Sequence, residues 1–330
     1  MQNFPLPRID SDSEFKELLY PYCRFKPGEI WKDKNGFHKI GCIDAADSQA
    51  VDKFMGNEKA VLAVHDPPYN FVAFEKRNID YFIEWSRQWI KNTFDSLKDN
   101  SSCYIWLGAD QKNHLQPFPD FIIMMKNSGF ALRSFITMRN QRGYGTQKNW
   151  MSVRQELLYY IKGDPNFNVN AEYTDIPKIL RGYYKEIKGI KTENLERSKS
   201  EFIRAGNVWV DIQQVFYRME ENVNGCYAQK PLKAIDRIIN ASSKEDEIVI
   251  DFFSHSGTSI ISSERFNRRC YSIDIEPVFC EITLRRLENF RNYGKTGWQN
   301  SNPFEIEIKK DRKIRNFLMK KYNINPNEFD

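Results

Sequence analysis

The run Asp66-Pro67-Pro68-Tyr69-Asn70 presents a carboxylate, backbone carbonyls with no amide donor at Pro68 to compete for them, and an aromatic ring in one short stretch. An exocyclic amino group on a purine or cytosine is a poor nucleophile because its lone pair is delocalised into the ring. If Asp66 and the carbonyl of Pro67 both accept hydrogen bonds from that NH2, the nitrogen is drawn towards tetrahedral geometry and the lone pair becomes available. Tyr69 would stack on the base, a contact of about 1–3 kcal/mol in comparable nucleic-acid sites. The bland alternative is a strand-ending turn with a capping Asp and a packed Tyr.

The elements around this run place it where chemistry is done. Residues 60–64, with His65 at the end, form a short apolar stretch that reads as a buried parallel strand. Two consecutive prolines continue neither a ladder nor a helix, so the chain leaves the strand end as a stiff, extended loop. Open α/β sheets bind ligands at the carboxyl ends of their strands.

A second stretch has complementary properties. Glu247-Ile248-Val249-Ile250-Asp251-Phe252-Phe253 reads as a buried strand ending in a carboxylate, followed by Ser254-His255-Ser256-Gly257-Thr258-Ser259 and an amphipathic helix. A small-residue turn at a helix N-terminus suits an anionic or zwitterionic group. A further strand, residues 270–273, ends in Asp274 about twenty residues on, where an acid commonly accepts hydrogen bonds from ribose hydroxyls. Together they imply a nucleoside cofactor. A nicotinamide site competes with this, but the full Gly-x-Gly-x-x-Gly pattern is missing. Lys230-Pro231 opens a helix whose Leu232, Ile235, Ile238 and Ile239 share a face, and Lys230 is placed either to point at a ligand or to lie on the surface.

The remaining periodicity alternates strands and helices, with a strand at 38–43, a helix entry at 44–48 and a long helical pattern over 78–97. A strand at 103–107, a helix at 120–127 and strands at 131–138 and 156–162 follow. This predicts an α/β, doubly wound, mostly parallel Rossmann-like sheet. Residues 131–154 hold Arg133, Arg139, Arg142, Lys148 and Arg154 with no acidic residue, along with Tyr144 between two glycines and Trp150. Basic and aromatic residues so interleaved suit a loop on a phosphate backbone, a solvated loop being the alternative. Expected boundaries are an N-terminal arm at 1–37, a catalytic half at 38–162, an inserted target-recognition region at 163–205, a cofactor half at 206–295 and a tail at 296–330.

At 330 residues, 41% hydrophobic and 14% aromatic, the chain is expected to fold around a full core. No apolar run approaches the roughly 20 residues of a membrane span. Met1-Gln2-Asn3-Phe4-Pro5 lacks signal-peptide character, so a cytoplasmic location is expected. The six scattered cysteines form no Cys-x-x-Cys pair and read as reduced core residues, with no metal site expected. The net charge of +5 is compatible with a nucleic-acid partner without establishing one.

The catalytic loop at 66–70, the basic segment, Lys230-Pro231, then 251–258 and Asp274, in that order, resemble the beta-class S-adenosylmethionine-dependent DNA amino-methyltransferases over residues 40–290. The Asp-Pro-Pro-Tyr form is more similar to N6-adenine members than to N4-cytosine ones. The resemblance implies that Asp66, Pro67, Pro68 and Tyr69 hold a flipped adenine. It implies that Asp251, Phe253, Ser256, Gly257 and Thr258 line the methionine part of S-adenosyl-L-methionine and that Asp274 binds its ribose. Asp44, Lys230 and Pro231 would border the cofactor, and Arg139, Arg142, Tyr144, Lys148 and Trp150 would lie on DNA. Duplex DNA is the implied partner, with a cognate restriction endonuclease and a second copy of the chain as further candidates. Two positions depart from the family pattern: His255 replaces the usual first glycine of Phe-x-Gly-x-Gly, and Gln155-Glu156 replaces a common His-Glu pair. The rivals are an N4-cytosine enzyme, an RNA methyltransferase, and a DNA-binding partner subunit with weakened cofactor binding, the last motivated by His255.

Overall fold

A computed structural model describes residues 6–68, 78–108, 114–146, 149–194, 200–299 and 301–326; for 140–146, 149, 151 and 152 only the backbone is described. Tyr69, Asn70 and Lys148 therefore lie outside the described residues.

The core is a nine-stranded sheet. In chain order its strands are β1 (Ile30–Lys32), β2 (His38–Cys42), β3 (Ala60–His65), β4 (Leu97–Leu107), β5 (Ala131–Thr146) and β6 (Asn149–Lys162). Outside it, β7 (Tyr173–Pro177) pairs with β10 (Phe202–Arg204), and β8 (Tyr184–Ile187) with β9 (Ile190–Glu193), as two separate two-stranded sheets. β11 (Val208–Trp209), β12 (Ile248–Asp251) and β13 (Arg269–Asp274) complete the main sheet, in the order β1-β2-β13-β12-β3-β4-β6-β5-β11. The run β2-β13-β12-β3-β4 is parallel throughout, while β6 is antiparallel to both of its neighbours.

Both faces are covered, which is why the central strands are near-continuous apolar runs. On one face lie α2 (Ser48–Met55), α3 (Ile79–Ser96) and α4 (Phe118–Met125), which bury Phe54, Trp89 and Phe121 against Ala63, Ile105 and Ile250. In α3, Phe82, Ser86, Trp89, Ile90 and Thr93 recur at helical spacing and are all buried, and the Asn78 side chain caps the helix start by accepting from the Asp80 N–H at 3.1 Å. Each large apolar side chain so buried contributes roughly 1.5–3 kcal/mol. The opposite face carries α5 (Leu232–Ser242), α6 (Thr258–Arg265) and α7 (Pro277–Tyr293). From β12 the chain crosses through α6 to β13 on one side, and from β3 through α3 to β4 on the other. The crevice between the carboxyl ends of β12 and β3 is therefore the topological switch point.

Two expectations change. The basic stretch after residue 138, read as a loop, is a ribbon: β5 runs to Thr146 and β6 starts at Asn149, with register shifts after Arg139 and Tyr144. Residues 139–149 are polar or glycine except for Tyr144, so no apolar alternation marks them as strand. The arm before residue 38, read as aperiodic, contains α1 (Ser13–Leu19) and β1, and buries Leu6, Ile9, Phe15 and Leu19 against α7, α8 (Glu305–Lys310) and α9 (Arg312–Tyr322). The two chain ends thus close one apolar cluster with α7, a long-range pairing that no local pattern announces.

Candidate active site

Asp66 follows the last residue of β3 at the switch point, and Pro67 behind it is buried. The Lys230 ammonium donates to Asp66 Oδ2 at 2.6 Å and lies 5.6 Å from the Trp106 ring centroid. Lys230 is positioned by the start of α5: Pro231 occupies the N-cap position, and Glu221 accepts the Leu232 N–H at 2.7 Å. The buried lysine at this place is thus a partner of the Asp66 carboxylate, which the sequence alone did not decide.

His65 welds the two central strands together. The Phe252 N–H donates to its Nδ1 at 3.1 Å, so the proton sits on Nε2, which donates to Thr93 Oγ1 at 3.0 Å. The ring stacks on Phe252 with centroids 5.1 Å apart, and complete burial holds its pKa down at about 3.

At the end of β12, Asp251 accepts from Ser259 Oγ at 2.5 Å and from the Phe253 N–H at 3.0 Å. Burial, helped by the charges of Asp66 and Asp274, nevertheless pushes its carboxyl up to about 7. The loop then turns through His255, at φ 45°, and Gly257, at φ 73°, where an added Cβ would stand 3.0 Å from the Thr283 Cα. Asp274, at the end of β13, accepts the N–H groups of His255 and Glu276 at 2.9 and 3.0 Å, and burial raises it to about 6. Arg286, fully buried in α7, anchors the loop from behind by donating to the Ser256 carbonyl at 2.9 Å and to Thr258 Oγ1 at 3.1 Å. Thr258 Oγ1 in turn donates to the Lys230 carbonyl at 3.2 Å.

One cavity at the switch point is lined by Asp66, Lys230, Asp251, Phe253, Ser256 and Thr258, together with Trp106 and His255. Asp44, Pro231, Gly257 and Asp274 are not lining residues. Asp274 reaches the site through the His255 backbone, and Asp44, which accepts the Ala46 N–H at 2.9 Å, follows β2, the strand beside β13. Trp150 is 90% exposed, Arg139 is exposed, and both stand on the ribbon away from this cavity. Sequence reading missed His65, Trp106, Ser259 and Arg286. His65 looked like the end of an apolar run, and an arginine on an amphipathic helix looks solvated.

The N6_N4_Mtase family model, described as a DNA methylase, matches residues 61–285, from β3 into α7. The chain belongs to this family. It is a site-specific DNA methyltransferase, and S-adenosylmethionine is its cofactor. Type II methyltransferase M2.LlaDCHI of Lactococcus lactis subsp. cremoris is 38% identical over 291 residues, covering 82% of this chain and 98% of that protein. Type II methyltransferase M.HpaI of Haemophilus parainfluenzae is 26% identical over 233 residues, covering 69% and 68%. In fold, the PvuII DNA methyltransferase (cytosine-N4-specific) is similar with a TM-score of 0.55 at 15% identity, covering 79% of this chain and 89% of that one.

The donor set fits S-adenosylmethionine. Asp251 is a buried acid and Asp274 a half-buried one, and loss of solvation raises the pKa of both, so an ammonium and a sulfonium nearby would stabilise their charge. Ser256 and Thr258 add hydroxyls beside the N-terminus of α6, where Gly257 supplies no side-chain cap. Among the described residues no helix is long and apolar enough to cross a membrane.

Proposed function

We propose that the enzyme methylates the N6 amino group of adenine within a specific duplex-DNA sequence, after extruding the base from the helix. The supporting observation is that Asp66, at the mouth of β3, shares a cavity with Asp251, Ser256 and Thr258 and is oriented there by Lys230. The Asp-Pro-Pro-Tyr form favours adenine.

When bound, the cofactor supplies an electrophilic methyl group on its sulfonium sulfur. Asp251, Phe253, Ser256, Gly257 and Thr258 would hold its amino-acid end and Asp274 its ribose, and Asp44, Lys230 and Pro231 would border it. Lys230 fixes Oδ2 of Asp66 and thereby the plane of the carboxylate. Asp66 and the Pro67 carbonyl accept the two amino N–H groups of the flipped base, which frees the nitrogen lone pair. The carboxylate that accepts one of these N–H groups is also placed to take its proton. Pro68 stiffens the loop, and Tyr69 stacks on the base. Catalysis would then be chiefly positioning of the amino nitrogen against the methyl donor. Extrusion costs a few kcal/mol, offset by stacking and by contacts of the ribbon residues Arg139, Arg142, Tyr144, Lys148 and Trp150 with the DNA. The enzyme works in the cytoplasm, with a cognate restriction endonuclease as its natural counterpart.

The test is transfer of labelled methyl to mixed-sequence duplex DNA, followed by digestion and identification of the nucleoside. N6-methyladenine is expected. N4-methylcytosine would establish the second reading, which the fold likeness to a cytosine-N4-specific enzyme keeps in view. Asp66→Asn should lower the rate by about 10²–10³-fold while the protein stays folded; near-normal transfer by that variant would remove Asp66 from its role.

A further inference from the structure

His255 stands in the loop between β12 and α6, and it has a partner 245 residues earlier in the chain. Its Nε2 lies 2.7 Å from Asp10 Oδ1, its ring meets Phe279 edge-on at 4.8 Å, and its N–H is held by Asp274. A side chain at φ 45° is in the region that glycine favours, so contacts beyond the local backbone must hold it there.

Asp10 is itself firmly placed. Its Oδ2 accepts the Tyr227 N–H at 3.0 Å, and the neighbouring Ile9 donates its N–H to the Gly225 carbonyl at 3.0 Å. Ile9 is fully buried, and its Cδ1 would stand 2.8 Å from a Cβ at Gly225, so the Ile9 side chain packs directly on that glycine. Three acids face the imidazole: Asp10 from the N-terminal segment, Asp274 from β13 and Asp66 from β3. Arg8 approaches Asp10 at 4.0 Å from the same segment. Burial disfavours the charged ring, but the Asp10 hydrogen bond and the three carboxylates outweigh it and raise the pKa of His255.

We propose that His255 and Asp10 form a latch that ties residues 6–12 to the loop 253–258, so that cofactor binding and docking of this segment stabilise each other. The latch rests on reading residues 253–258 as the cofactor loop. His255 and Asp10 act as positioning residues: they set the loop, and the loop sets the cofactor. Coupling of this kind is reciprocal, and the factor by which docking tightens cofactor binding is the factor by which the cofactor protects the docked segment.

The test uses the full-length protein and S-adenosylhomocysteine as the probe. Calorimetry gives its Kd, and mass spectrometry follows tryptic cleavage after Arg8, a bond protected while Ile9 is buried. In the wild type the probe should slow that cleavage. Asp10→Ala and His255→Gly should each weaken probe binding and raise the KM for S-adenosylmethionine about tenfold with little change in kcat, and cleavage should become fast and indifferent to the probe. Asp10→Asn, which keeps an acceptor, should recover most of the affinity, and the two disruptive changes combined should cost no more than either alone. His255→Gly relieves a strained backbone and so stays informative if Asp10→Ala folds poorly. Wild-type affinity and probe-dependent protection in His255→Gly would overturn the latch. Asp274→Ala separates the two levels: if it abolishes probe binding while His255→Gly does not weaken it, the latch alone falls, and if Asp274→Ala binds normally, the cofactor-loop reading falls with it.

Discussion

Replacing His65 with Phe should destabilise the protein by an amount that shrinks as the solution is acidified. The imidazole accepts the Phe252 N–H at Nδ1 and donates from Nε2 to Thr93 Oγ1, and both bonds are buried. Phe retains the stacking shape but leaves the Phe252 N–H without its acceptor, a loss of about 1–3 kcal/mol at pH 8. The pH dependence follows from linkage. His65 has a pKa of about 3 in the fold against 6.5 for the ordinary side chain, so the unfolded chain binds its proton first. The contribution of the neutral ring is fully present above about pH 6.5 and is lost as the pH falls towards 3. Between pH 8 and pH 5 this amounts to about 2 kcal/mol. Asp251 and Asp274 act in the opposite sense, because their raised folded pKa values make the native state bind protons first on acidification. The total stability therefore says little, and the difference between wild type and variant isolates His65. Denaturant unfolding of both proteins at pH 8 and pH 5 measures that difference. A penalty for His65→Phe that is the same at the two pH values, or larger at pH 5, would refute the assignment of a neutral, buried imidazole.

Three further outcomes follow from the same geometry. Cofactor affinity should fall as the pH drops below about 7, by up to about tenfold per unit, because Asp251 takes up a proton there and loses the charge that holds a cation; calorimetry across pH 6–8 measures it, and Asp251→Asn should flatten the profile. Gly257→Ala should cost roughly 1–3 kcal/mol and weaken cofactor binding, since the residue sits at φ 73° with backbone 3.0 Å from the new Cβ; thermal melts with and without cofactor separate the two effects. Trp150→Ala should leave stability within about 0.5 kcal/mol of wild type, because the side chain is 90% exposed, and should weaken duplex binding, which fluorescence anisotropy at fixed salt would report.

The sheet was legible because buried parallel strands are written as short apolar runs, and those at 60–64 and 248–250 fell where expected. The acids at their ends, Asp66 and Asp251, were legible for the same reason: a carboxylate that closes an apolar run must emerge at the carboxyl edge. Residues whose roles depend on another element were not legible. Lys230 and Asp66 are 164 positions apart, and only the placement of α5 beside β3 makes them neighbours. Arg286 sits on a helix whose exposed face also carries arginines, and nothing local distinguishes the one that turns inward to the loop between β12 and α6. The ribbon of β5 and β6 was missed because residues 139–149, polar or glycine except for Tyr144, carry no apolar period.

The order of the strands explains why the site is so heavily cross-tied. β3 and β12 lie side by side, but each is continued by a helix on the opposite side of the sheet, so the crevice between their ends has no connecting chain of its own. Side chains supply what the backbone does not. His65 joins β3 to the residue after β12, Lys230 joins Asp66 after β3 to the start of α5, Thr258 joins the start of α6 to that same lysine's carbonyl, and Arg286 fixes the turn to α7. Two of these links are charged or charge-assisted and two are hydrogen bonds to buried backbone, so each is costly to leave half-made. A DNA methyltransferase must bring a base and the cofactor's methyl group together, and the strand ends that meet at this crevice, those of β3 and β12, are far apart in the chain. The four ties make those elements one rigid body, and they account for a buried lysine, a neutral histidine and an inward arginine that neither the core nor the surface required.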